Sequence, residues 1–157
     1  MVLERIPIAG RFINRNKIRF PKNVRYGNIV SVLPVTNGTC KGIYASHVLE
    51  HLSLGDFRTA LRHTYNLLAE GGVFRALAPD LELLAREYIS SEDSRAAETF
   101  LKHAGLGQET RPNGLSGLLV SWLGSGDHLW MWDYKGLAAE LSEAGFQHIR
   151  PCKIGDS

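Results

Sequence analysis

The string His47-Val48-Leu49-Glu50-His51 gathers two imidazoles and a carboxylate within five residues. On a helix, positions 47 and 51 share one face, the arrangement in which two imidazoles hold zinc and a glutamate acts as base. Hydrolytic zinc also needs a third protein ligand and an element long enough to hold the imidazoles rigidly. Ser53 and Gly55 signal a new helix start, so the string spans a turn or two at most. No downstream acid stands out as the third ligand, and the expectation is that no metal binds here. A hydrolase built on His47, Glu50 and His51 ranks third among the functional readings. Imidazole exchanges protons in the working range of most enzymes, which makes His47 and His128 candidate general bases. His51 reads as a structural, hydrogen-bonding residue.

The elements that must position these groups follow from periodicity and turn chemistry. Asn23 to Val32 is β-branched and aromatic and runs into Leu33-Pro34, which predicts a strand and its stop. Thr36-Asn37-Gly38-Thr39 is a turn, and Gly42 to Ser46 is a short apolar run of the kind found in buried strands. Ser53 with Asp56 has the spacing of a capping box. It opens a helix with Phe57, Ala60, Leu61, Thr64, Leu67 and Leu68 on one face, ended by Gly71-Gly72. Val73 to Ala78 is the next strand, stopped by Pro79, with Asp80 capping a helix through Ile89. A further helix starts after Asp93-Ser94 and ends at Gly105. Asp133 caps another, closed by Gly145, and Phe146 to Arg150 reads as the last strand. The alternation predicts an α/β layered domain with a largely parallel sheet, whose ligand sits beyond the strands' carboxyl ends, after Ile29, Ser46 and Ala78.

Gly42 to Leu52, the helix from Asp56 to Leu68, Ala69-Glu70-Gly71-Gly72 and Ala78-Pro79-Asp80-Leu81 together resemble the second half of a class I S-adenosylmethionine-dependent methyltransferase of type 11. His128 to Asp133 and Leu141 to Phe146 are similar to later stretches of the same family, so the likeness covers residues 24 to 150. It implies a Rossmann-like methyltransferase sheet with flanking helices, S-adenosylmethionine as methyl donor, and a small-molecule acceptor. By the same resemblance Asn28 and Ile29 bracket the adenine, and Ser46 and His47 border the methionine part. Gly10 stands where the family has a glycine-rich turn, and Asn16 where it has the acid that pairs with both ribose hydroxyls.

The departures are physical. Pro7 removes a ladder donor from what should be a central strand, and Gly10 is the one glycine of its turn. Asn16 accepts through one oxygen only, which weakens ribose binding. The family's last antiparallel strand would follow residues 153–157 and is expected to be absent. The expected sheet is therefore reduced or incomplete, shortened at both ends, with edges that need a cover. That leaves a fragment, a strand-exchanging homodimer, or a non-catalytic binding or dimerisation module as alternatives to the enzyme.

With 157 residues and 17.4 kDa, the chain is expected to form one domain, residues 1–157. Residues 1–22 form a degraded cofactor-loop region, and 105–127, with six glycines, a candidate substrate lid. Hydrophobic residues at 44% and charged residues at 22% are ordinary for a globular chain and exclude a collagen-like repeat or a coiled coil. No apolar run reaches the length of a membrane span. The formal charge of +2 gives no strong attraction to nucleic acid or an anionic membrane. The basic residues clustered from Arg5 to Arg25 read as solvated strand flanks in preference to a site for an anionic ligand or nucleic acid. Cys40 and Cys152 form no CxxC pair and read as packed or idle thiols in a cytoplasmic setting.

Overall fold

The structure, a computed structural model, describes residues 23–31, 33–107 and 128–153. Strand β1 (Cys40–Ser46) leads through a single 3-10 turn, Leu49–His51, into helix α1 (Leu54–Leu67). Strand β2 (Leu68–Leu77) follows at once, then α2 (Leu81–Ser90), α3 (Ala96–His103) and α4 (Tyr134–Glu143). The described part is thus mixed α/β, a two-stranded parallel sheet with four α-helices. No helix among the described residues is long and apolar enough to cross a membrane. Cys40 and Cys152 are both free thiols.

Helix α1 forms where its apolar period predicts, and it buries Phe57, Ala60, Leu61, Thr64 and Leu67. The Ser53 hydroxyl accepts from the Asp56 amide at 3.3 Å, satisfying one of the four amides a helix start leaves open. Phe57 and Leu61 pack with Ala45, Leu49 and Trp132 into the core, and Phe74, Ala76, Leu137 and Leu141 close around it. The Phe57 and Trp132 rings lie 4.2 Å apart, an aromatic contact that adds to simple burial. Asp80 and Asp133 cap α2 and α4 as expected: their carboxylates accept from Glu82 at 2.9 Å and Gly136 at 2.7 Å.

Three predicted elements differ. Residues 23–31 form no strand, because the Asn28 side chain and carbonyl capture the amides of Val30 and Ser31 in a tight turn. Helix α1 ends at Leu67 instead of at the glycine pair. Its last carbonyls are already satisfied by the turn before β1: Gly38 and Thr39 donate to Asn66 and Leu67. Gly71-Gly72 instead occupies an irregularity inside β2, where the register jumps from Cys40↔Leu68 to Gly42↔Val73. A Cβ on Gly72 would stand 2.8 Å from the Cys40 carbonyl oxygen, so glycine permits this close approach. Residues 146–150 form no strand either. His148 has φ 54°, outside the extended region, and the Phe146 ring turns onto Tyr65 and Phe74.

Candidate functional site

Pairing between β1 and β2 ends at Ser46↔Leu77, so the segments after residues 46 and 77 leave the same rim together. The ladder reaches one step further, with the His47 amide donating to the Leu77 carbonyl at 2.9 Å. His47 itself has φ 52°, a left-handed conformation that a non-glycine residue adopts at a cost and that recurs at functional positions. This bend turns the chain from the strand into the 3-10 turn and points the His47 ring back over it. Its Nδ1 lies 3.0 Å from Glu50 Oε1. The two partners differ sharply in burial: the imidazole is 59% exposed, the carboxylate 1%.

Glu50 is the centre of this end of the molecule. Its backbone carbonyl accepts from Leu129 at 2.8 Å and Trp130 at 3.1 Å, which joins the 3-10 turn to a segment far downstream. Its second carboxylate oxygen, Oε2, is buried and has no hydrogen-bond partner among the described residues. A buried acceptor left unmade costs about 1–3 kcal/mol, which sets Glu50 apart from an ordinary core residue. The stitch at Leu129 and Trp130 also brings His128 beside His51, their ring centroids 5.1 Å apart and nearly edge-on at 69°. His128 Nδ1 lies 2.7 Å from the Ala104 carbonyl oxygen, so it carries the proton and donates. Nε2 of His128 is then the lone-pair nitrogen. One ligand atom from each of Glu50, His51 and His128 falls within 4.8 Å of the other two.

Beyond the end of β2 the chain meets Trp132 at Asp80. They form a parallel bridge, and the Leu81 amide donates to the Trp132 carbonyl at 2.8 Å. Behind them Glu82 ties α2 to α4, with its oxygens at Arg86 and at Lys135, 3.1 Å away. The Arg86 hydrogen bond, helped by Lys135, holds the Glu82 carboxyl below its usual range.

Of the residues expected at the site, Ser46, His47 and His128 gather with Glu50 and His51 at this end. Asn28 and Ile29 do not join them. The His63 ring lies with Nδ1 3.2 Å from the Ile29 carbonyl oxygen, in the half of α1 that returns to the strands' amino ends. The rim predicted for Ile29, Ser46 and Ala78 is therefore shared by the last two only. Gly10 and Asn16 lie outside the described residues, as does most of the glycine-rich stretch 105–127. Glu50 as the hub, and His128 as the neighbour of His51, were not foreseen. The H-x-x-E-H string was the signal for the first, whereas nothing local announces the second. No family model matches the chain, and neither a curated protein nor a solved structure matches it.

Proposed function

We propose that the chain is a methyltransferase-like domain of Rossmann-like architecture that transfers a methyl group to a hydroxyl of a small-molecule acceptor. The support is the His47–Glu50 couple, 3.0 Å apart at the carboxyl rim of a parallel β1–α1–β2 unit. It stands on the strings that carry the resemblance to the type 11 methyltransferases. S-adenosylmethionine, as co-substrate, supplies an electrophilic methyl on a sulfonium. Ser46 and His47 would lie beside its methionine part, since they leave β1 at the rim where α/β sheets bind ligands. Asn28 and Ile29 do not reach that rim, so the adenine would be held by other residues than the resemblance implies.

In this reading His47 is the general base. With Nδ1–H donated to buried Glu50, the ring is fixed in one tautomer and Nε2 is left as the acceptor, as a carboxylate orients a catalytic imidazole elsewhere. His47 Nε2 takes the acceptor's hydroxyl proton while the oxygen bonds to the methyl carbon. The carbon–sulfur bond breaks, its electron pair stays on sulfur, and the products are a methyl ether and S-adenosylhomocysteine. The protein's part is alignment and proton removal. His128, placed against His51, is the weaker candidate for that base.

Isothermal titration with S-adenosylhomocysteine tests the reading. Micromolar binding supports it, and silence at millimolar ligand leaves a non-catalytic binding module in its place. A homodimer belongs to the same proposal, since Tyr44 and Val73 of the sheet are exposed. Sedimentation showing a stable monomer at low micromolar concentration would remove it.

A further inference from the structure

We infer that Glu50, His51 and His128 form a binding site for one divalent transition-metal ion. Each offers a ligand atom, and the three lie within 4.8 Å of one another. Ligands on one metal with bonds of about 2.1 Å stand roughly 3.0–3.5 Å apart, so a small contraction of side chains closes the set. Two independent features support it. Glu50 spends Oε1 on His47 and keeps a second, buried oxygen without a hydrogen-bond partner among the described residues. His128 is oriented from behind, its Nδ1 on the Ala104 carbonyl at 2.7 Å, the backbone support that fixes ring and tautomer in metal-ligating histidines.

The scaffold holds the set from both sides. Glu50 and His51 belong to one 3-10 turn, and Leu129 and Trp130 are sewn to it through the Glu50 carbonyl. His47 then serves as an outer partner of the ligating carboxylate. The donor set, two imidazoles and one carboxylate, suits zinc, cobalt or iron(II). It suits calcium and magnesium poorly, since these favour all-oxygen shells. A dication with one carboxylate and two neutral imidazoles keeps a net charge of +1 and open positions for water or a ligand oxygen. This site does not depend on the methyl-transfer reading, and its test uses no methyl donor.

Chelator-treated full chain is titrated with cobalt(II) and followed by its visible absorption band. One ion per chain at low micromolar concentration, displaced by zinc and indifferent to millimolar magnesium, is the expected result. His128→Gln and His51→Gln should each weaken binding by more than about tenfold, while His103→Gln on exposed α3 should not change it. Circular dichroism identifies a variant that fails to fold, and the exposed His51→Gln remains decisive should His128→Gln do so. Absence of one-to-one binding in the unmodified chain overturns the site. So does binding that folded His51→Gln leaves intact.

Discussion

The His128 ring occupies the space that a side chain at residue 105 would need: a Cβ on Gly105 would stand 2.6 Å from His128 Nδ1. Gly105 also has φ +63°, and its carbonyl accepts from the His128 amide at 3.2 Å. Gly105→Ala therefore strains the backbone and displaces the imidazole in one step. The left-handed conformation alone costs a residue with a Cβ about 1–2 kcal/mol. Urea denaturation should show a loss of at least that size, and cobalt binding should weaken with it. A variant as stable as the parent would mean that residues 104–107 and His128 are not packed as described.

Glu50→Gln separates orientation from simple occupancy. The amide has nearly the carboxylate's shape, but it can donate to His47 Nδ1 instead of accepting from it. The imidazole would then carry its proton on Nε2 and could not act as base. The expected outcome is a methyl-transfer rate lower by about 10²–10⁴-fold with S-adenosylhomocysteine affinity unchanged. A rate within twofold of the parent, measured on folded protein, would take His47 out of the chemistry.

Phe57 is fully buried, and its ring meets Trp132, which in turn bridges to Asp80 beyond the end of β2. Phe57→Ala should cost about 3–5 kcal/mol through lost contacts and an unfilled cavity. Domains of this size hold only about 5–15 kcal/mol in total, so the variant should melt far below the parent. Trp132 fluorescence is the natural probe, because its environment changes with the same deletion. A small effect would show that this core collapses onto the gap.

What could be read from the sequence was what depends on neighbours a few residues away. The buried face of α1 follows a 3.6-residue period, and Ser53, Asp80 and Asp133 cap their helices through amides two or three residues on. Where local chemistry competes, the pattern misleads. Asn23 to Val32 has strand composition, yet the Asn28 carboxamide supplies a turn within two residues. The glycine pair looks like a helix stop, yet the end of α1 is set by Gly38 and Thr39, which precede it by the whole helix. The site divides the same way. His47 and Glu50 meet because they are three residues apart, whereas His128 reaches His51 through hydrogen bonds from Leu129 and Trp130 that no spacing encodes.

The Arg58 guanidinium grips Glu140 with Nε 2.9 Å from Oε2 and Nη2 2.6 Å from Oε1, clipping α4 to α1. That hydrogen-bonded pair holds the Glu140 carboxyl below its ordinary value of 4.5. A carboxyl with a lowered value in the folded chain stabilises it above the unfolded value and ceases to do so as the pH falls through the folded one. Urea midpoints of the parent and of Glu140→Gln should thus differ at neutral pH and converge as the pH drops below 4.5. The difference should be small and shrink with added salt, since the guanidinium is half exposed and solvent screens the pair. Parallel midpoint curves from neutral to acid pH would show that the two side chains do not hold this contact in solution.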